Sequence, residues 1–486
     1  MMSTDDNDKK SDSSIQLSRR HTLFGMAIGV TTLAASSLVR AATSNNDESK
    51  SPSGAYDVII IGAGMAGSTA ARELGALGKK CLVLEARNRV GGRTWTADIF
   101  GQQSEVGGQW VHWYQPHVWA EIKRYGLEID ETPGANPTYG TVLINNQLKN
   151  IDPAESFAML DKGMKAFCGD LINAFPRPYD PGFDPSFLKH DDISIAQRLK
   201  QINLDITTHT ILESFFATAV SGSLETAGML DQVHWYARAD NDMGRLLRAC
   251  TQYYIKSGTS SLIKSMLDDS NADVRTNTPV RKVEHHATGV TVTVENGDVF
   301  RASACVVAMP MNCWNDIQWA PALLPGKVAA SKERHVGAGF KLKIKVKGNK
   351  GAYQSLAGVG HPVNMVYTDH FYDDHTTLFC MGYPTPGFDY NNKALVLKEV
   401  DKLLPNAEVL DTFAYDWTSD PYSKGSWCDY KVGMWSKYGA DMRKTEGRVI
   451  FAGSDVADGW RGFIDGAIET GLRAGREASR LLSSKS

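Results

Sequence analysis

Cysteine is sparse and unpatterned in this chain. The seven residues, at 81, 168, 250, 305, 313, 380 and 428, form no CxxC pair and no metal-ligand spacing. That excludes a disulfide framework or a metal centre as the organising device. Cys81 and Cys305 sit in apolar, strand-like runs, where a thiol is ordinary core. Charge of one sign is also lacking: a formal net charge of −3 gives no reason to expect nucleic acid or an anionic membrane as partner. There is no internal repeat, and beyond the N-terminus no apolar run long enough to span a bilayer. At 486 residues the chain exceeds one small core, so two domains or one elaborate one are expected. A hydrophobic fraction of 42% with 22% charged residues fits a soluble globular enzyme.

The N-terminus carries "LSRRHTLFGMAIGVTTLAA", in which Arg19 and Arg20 precede a mild run of Ala, Gly, Thr and Leu. Small residues follow near Val39-Arg40-Ala41-Ala42. This reads as a twin-arginine export signal over 1–42, read by the Tat translocase and directing the folded protein to the periplasm. An uncleaved anchor, or a tail with a chance arginine pair, are the competing readings. Residues 43–54, "TSNNDESKSPSG", are polar and breaker-rich, as in a linker.

Folded sequence begins at "YDVIIIGAGMAGSTAARELGALGKKCLVLEARNRVGGRTWT". Val58 to Ile61 is a continuous β-branched run, suited to a parallel strand buried on both faces. Gly62-x-Gly64-x-x-Gly67 follows at once, then a helix from Ser68 to Leu77. Gly62 allows the tight turn, Gly64 lets backbone approach a pyrophosphate, and Gly67 permits close helix–strand packing. The pyrophosphate would sit at the helix N-terminus, where free N–H groups and the dipole favour negative charge. A second strand, Cys81 to Leu84, ends in Glu85, about 20 residues beyond the glycines, where a carboxylate accepts from ribose hydroxyls. Strand, glycines, helix, strand and acid in that order specify a dinucleotide.

Arg87, Gly92 and Arg93 lie just after the acid, placed to wrap the pyrophosphate from its second side. A plain Gly-Gly turn with solvated arginines is the alternative. In "SEVGGQWVHWYQPHVW", Gly107 and Gly108 stand among Trp110, His112, Trp113, Tyr114 and Trp119, an aromatic set that suits a pocket wall. Residues 141–254 alternate amphipathic helical stretches with the loop "FPRPYDPGFDPSF". The segment "ADVRTNTPVRKVEHHATGVTVTVENGDVFRASACVVAMP" returns to β pattern, with a hairpin signal at Asn296-Gly297 and a buried strand from Cys305 to Ala308. "GFKLKIKVKGN" alternates strictly, which predicts an antiparallel strand with Lys341, Lys343, Lys345 and Lys347 on a solvated face.

These motifs, with "GGQWVHWYQPHVWAEIKRYGL", "YDWTSDPYSKGSW" and "GWRGFIDGAIE", make the chain resemble the FAD-dependent amine oxidase family, which includes monoamine and polyamine oxidases. Within it the match is to the bacterial nicotine oxidoreductase and pseudooxynicotine amine oxidase branch. The resemblance runs from about Tyr56 to the C-terminus and implies an α/β fold. A doubly wound FAD-binding domain would be assembled from 55–140, 255–315 and 440–486. An α+β substrate domain would comprise a helical insertion at 141–254 and a sheet at 316–439. It implies that Ala66, Ala86, Gln109, Ile464 and Ala467 join the glycines and arginines around FAD. It also implies that Val280 backbone meets the adenine, that Gly453 is among the residues around FAD, and that Asp455 accepts hydrogen bonds from the ribityl chain. The C-terminal helix, starting near Asp465, would point its N-terminus at the pyrimidine end of the flavin.

Lys341 is singled out by the resemblance as the lysine holding a water against flavin N5. Trp427 and Phe463 match the two cage rings that orient the amine, with Trp110, Phe215 and Thr251 completing the substrate walls. Ser426 stands where the monoamine oxidases carry their flavin-linking cysteine, so non-covalent FAD is expected. Trp110 occupies the place of the carboxylate-clamping arginine of amino-acid oxidases. Cys250 replaces an acid of the nicotine enzyme. The expected reaction is oxidative deamination of a pyridyl or aryl alkylamine, pseudooxynicotine first and nicotine second. Dioxygen or a periplasmic cytochrome c would be the acceptor, no metal is required, and a homodimer is left open. Rival readings are a general monoamine or polyamine oxidase, a desaturase or isomerase on the same fold, and an FAD-bound redox sensor.

Overall fold

The computed structural model describes residues 56–483. The twin-arginine segment and its linker lie outside the described residues. The first strand, β1 (Tyr56–Ile61), enters the glycine turn and α1 (Met65–Ala76), and β2 (Cys81–Leu84) returns parallel to β1. Val58, Ile59 and Ile60 are fully buried, as a β-branched run covered on both faces should be. A long strand, β3 (Val299–Val307), lies parallel to β1 on its other side. Asp273–Arg275 extends the sheet beyond β2, and Val449–Phe451 pairs parallel with the end of β3. An antiparallel pair, Val280–His285 with Val290–Val294, continues from β3 to the edge strand Gln318–Ala320. The hairpin expected at Asn296-Gly297 is present, with Gly297 at φ +91°.

A second, seven-stranded sheet is built around β4 (Phe340–Lys347), which pairs antiparallel with Val409–Tyr415 on one side and His375–Gly382 on the other. Beyond that lies β5 (Val363–Phe371), then Tyr353–Ala357. Residues 139–151, at the junction between the first nucleotide segment and the helical part, form a hairpin on this sheet. The helical stretch follows from Pro153 and includes α2 (Ile206–Val220). The solvated lysine face expected on β4 is corrected at its first half: Lys341 and Lys343 are buried, and Lys345 is partly covered. Alternation correctly gave the two-residue period. Both faces of this stretch are nevertheless covered over its first half, and of the four lysines only Lys347 is fully exposed.

The chain closes with α3 (Ile464–Ser483), packed along α1. No described helix is long and apolar enough to cross a membrane. All seven cysteines are unpaired.

The turn between β1 and α1 is tightly packed. Gly62 has φ +100°, a region that L side chains rarely adopt. A Cβ on Gly67 would lie 1.9 Å from the Gly62 carbonyl oxygen, so only glycine lets the helix meet the strand end here. Gly67→Ala should therefore destabilise the protein by ~1–3 kcal/mol, the usual cost of overpacking. The readout is the denaturant midpoint. Gly439→Ala, in a helix with nothing within 4 Å of the added carbon, should leave the midpoint unchanged or slightly raised. Equal midpoints for Gly67→Ala and the parent would mean that this packing is not tight.

Candidate functional site

A cavity of about 960 Å³ opens at the carboxyl ends of β1 and β2 and extends to walls from α2, β4 and β5. This is where ligands bind in open α/β sheets. Of the residues singled out in the sequence, Gly62, Gly64, Ala66, Glu85, Ala86, Arg87, Gly92 and Arg93 line it. So do Gly107, Gly108, Gln109, Trp110, Val280, Gly453, Ile464 and Ala467, together with Phe215, Thr251, Lys341, Trp427 and Phe463. Gly67 and Asp455 are not part of the wall.

The nucleotide end has the chemistry a dinucleotide needs. The N-terminus of α1 carries no side-chain cap and no acid in its first turn, which leaves its N–H groups for a phosphate. Glu85 is buried at the end of β2, and its two oxygens accept from Ala63 N and Arg87 N, each at 2.9 Å. A carboxylate has about four lone-pair sites, so capacity remains for ribose hydroxyls. These features fit FAD.

Two roles differ in detail from the sequence expectation. Arg87 is already paired with Asp420 and donates to Ser423 Oγ at 2.9 Å. Asp455, expected to face the ribityl chain, is instead turned inward. Its Oδ1 receives Arg93 Nη2 at 2.6 Å, and its Oδ2 receives Met311 N at 2.9 Å. Burial pushes this carboxyl up, but the Arg93 guanidinium and other partners hold it below the usual value. Arg93 also donates to Ser454 Oγ at 2.9 Å and to the Ser426 carbonyl at 3.0 Å. Asp455 thus acts on the cavity through Arg93.

The two rings expected to form the cage, Trp427 and Phe463, are held from behind. Trp427 Nε1 donates to the Ala219 carbonyl of α2 at 2.7 Å. Phe463 is met edge-on by Trp235, with ring centroids 4.7 Å apart, and by Trp460 at 5.1 Å. Ser426, directly before the first ring, accepts from Gly339 N at 3.0 Å. Cys428 is buried off the cavity, and burial raises its thiol well above the ordinary value. The two cavity-lining thiols, Cys250 and Cys313, are pushed up to about 12 by burial. None of the three is a ready thiolate.

Lys341 lies buried on β4, its Nζ donating to Gly107 O and Gln109 Oε1, both at 2.9 Å, and 4.7 Å from the Trp110 ring centroid. Burial, reinforced by the Lys343 ammonium, lowers it to about 7. Sequence reasoning missed Trp235 behind Phe463, and Tyr367, Met365 and Met381 on the second sheet, all of which line the cavity. A strand pattern cannot tell which face will meet a ligand. Met309 and Pro310, directly after β3, were also missed, although the rule of carboxyl ends would have found them.

Comparison with known proteins agrees with this geometry. The family model described as flavin containing amine oxidoreductase matches residues 65–479. Pseudooxynicotine dehydrogenase from Pseudomonas sp is 37% identical over 492 residues, spanning 99% of both chains. Nicotine dehydrogenase from Pseudomonas putida (strain DSM 28022 / S16) is 38% identical over 430 residues, 88% of this chain and 89% of that one. A solved structure of a putrescine oxidase triple mutant superposes with a TM-score of 0.77 at 25% identity, covering 87% of this chain and 99% of the other. The glycine turn, the cavity and its aromatic walls are therefore those of an FAD-dependent enzyme, and the chain belongs to the flavin-containing amine oxidoreductase family.

Proposed function

We propose that the enzyme oxidatively deaminates a pyridyl or aryl alkylamine of the nicotine class, with pseudooxynicotine first and nicotine second. The observation that carries this is the make-up of the substrate walls. The segments 211–252 and 354–381 contribute Phe215, Thr251, Trp235, Met365, Tyr367 and Met381 to the cavity, but no aspartate or glutamate. The acids on the cavity wall are Glu85 at the end of β2 and Asp316, which is paired with Lys424. A diamine or polyamine would bring a second ammonium into a wall without a counter-charge, at a large desolvation cost. An aromatic group meets apolar and aromatic side chains instead. The names of the two Pseudomonas relatives support the same class.

FAD, when bound, supplies N5 as acceptor of the hydride from the carbon next to nitrogen. Trp427 and Phe463 orient the amine between them, and Trp110 and Phe215 exclude bulk water from the reacting carbon. Lys341 holds a water from below. The resulting substrate imine takes up water to give a carbonyl and an amine. These separate when the nitrogen was acyclic and stay in one opened molecule when it was part of a ring. FAD is held non-covalently, because Ser426 stands before the cage ring and no activated thiol faces the cavity. The acceptor is dioxygen or a periplasmic cytochrome c. The twin-arginine segment fits this reading, since a non-covalent flavin must be enclosed before export of the folded protein.

Anaerobic mixing with pseudooxynicotine, nicotine, spermidine and tyramine tests the substrate class. The pyridine compounds should bleach the flavin rapidly, and adding air or cytochrome c should then restore its colour with the true acceptor. Bleaching by spermidine or tyramine alone would leave the family and remove the nicotine-class assignment. Trp427→Ala should slow anaerobic flavin reduction by about a hundredfold, the order expected when a positioning surface is lost. An unchanged rate would remove the cage role. Acid precipitation should release intact FAD into the supernatant; yellow colour retained by the pellet would show a covalent link.

A further inference from the structure

Two lysines lie two residues apart on one face of β4, and the structure treats them differently. Lys343 Nζ reaches the buried carboxylate of Asp369 on β5 at 2.5 Å. Lys341 reaches no carboxylate: its two partners are the Gly107 carbonyl and the Gln109 side-chain carbonyl. The amide of Gln109 is oriented by the same Asp369, whose Oδ1 receives Gln109 Nε2 at 3.2 Å. With the amide nitrogen committed to Asp369, the amide oxygen faces Lys341. A neutral lysine amine has two N–H donors and one lone pair, whereas an ammonium has three donors and none. The two carbonyl acceptors match the neutral form.

We propose that Gln109, Asp369 and Lys343 are positioning residues that keep Lys341 a neutral amine with its lone pair free for the cavity. Lys343 consumes the charge of Asp369, and Asp369 fixes Gln109. The pair of carbonyls then takes both hydrogens of Lys341, leaving the nitrogen able to accept from a water or a substrate ammonium. If a substrate ammonium is the donor, its N–H bond breaks, Lys341 gains the proton, and the substrate nitrogen keeps the electron pair. The inference rests on the amine-oxidising reading of the cavity.

The surrounding charges agree. Besides Lys343 and Asp369, the groups facing Lys341 are Glu105 and, through Asp369, His370, whose Nδ1 is 3.1 Å from Asp369 Oδ2. Glu105 is tied to Thr259 by its backbone N–H at 2.7 Å and its hydroxyl at 2.8 Å, and to Thr96 Oγ1 at 2.8 Å. Burial raises Asp369, but Lys343 and His370 outweigh it and hold the carboxyl well below its usual range. Burial and the Lys343 charge push Lys341 the other way, toward the neutral amine.

The test is a direct titration of Lys341 in the holoenzyme, by NMR of protein labelled with [ε-¹³C]lysine, using Lys341→Met to assign the resonance. The parent should titrate near neutrality. Gln109→Glu replaces a neutral acceptor with a carboxylate and should raise the midpoint by about one to three pH units. The rising limb of anaerobic flavin reduction against pH should move the same way. Lys343→Met should also raise the midpoint, since Asp369 would lose its cation. That variant leaves a buried carboxylate unpaired and puts the fold at risk, so the isosteric Gln109→Glu carries the test alone if it fails to fold. A parent midpoint above pH 10, or one that Gln109→Glu leaves in place, would overturn the inference. A kinetic limb that follows the substrate's own ammonium across two amines of different basicity would also overturn it. Failure of every amine to bleach the parent flavin would instead strike the functional reading, and the NMR midpoint would still decide the state of Lys341.

Discussion

The ion pair between Arg93 and Asp455 holds together segments that are remote in the chain. One guanidinium reaches the Ser426 carbonyl, Ser454 and Asp455, and the second oxygen of Asp455 takes the Met311 N–H. The loop after β2, the loop after β3, the turn carrying Trp427 and the C-terminal approach to Phe463 therefore share one anchor. Removing one partner of a buried pair leaves the other charge uncompensated, at a typical cost of about 3–5 kcal/mol. Arg93 keeps some exposure at the cavity, so the cost there lies toward the lower end. A cavity of about 960 Å³ is an interruption in the core, and segments around it cannot pack against each other directly. Charge-assisted hydrogen bonds across its rim replace that packing.

The parts legible in the sequence were those whose geometry is local. The turn from Gly62 to Gly67 needs a positive φ and a missing Cβ, and both requirements show as glycine. Glu85 could be singled out because it directly follows the second strand, about 20 residues beyond the glycines. Its function as a clamp on Ala63 N and Arg87 N was not visible, since that depends on the third dimension. Asp455, expected to face a ligand, is turned to Arg93 instead: a buried acid after a strand looks the same whether it meets a ligand or an arginine.

Lys341 and Lys343 show the limit most clearly. Period-two alternation reports which residues share a face, and β4 has the predicted pattern. It does not report what covers that face. The loop from Gly107 to Trp110 covers Lys341, and β5 supplies Asp369 to Lys343. Both contacts join residues far apart in sequence, which no local pattern encodes. The aromatic walls divide in the same way. Trp427 and Phe463 sit in glycine-containing loops, and Trp110 follows one in the short strand Trp110–Val111, so all three could be singled out. Trp235 and Tyr367 sit in longer regular elements, where an aromatic residue reads as core.

The charge arrangement at the substrate end has a consequence for the chemistry. An amine must lose its proton before the adjacent carbon can yield a hydride. Walls with no carboxylate give an entering ammonium no counter-charge, and burial among aromatic and apolar side chains penalises the charged form. The same desolvation drives Lys341, on the wall of the same cavity, toward neutrality. Both nitrogens are thus moved toward the form in which each has a lone pair to use, and in the proposed arrangement Gln109, Asp369 and Lys343 add to that pressure on Lys341. A carboxylate placed there to bind the cation more tightly would stabilise the wrong protonation state of each. In the proposed reaction, weak attraction for the ammonium is accordingly an advantage, because affinity for the charged ground state would be affinity opposed to the reaction.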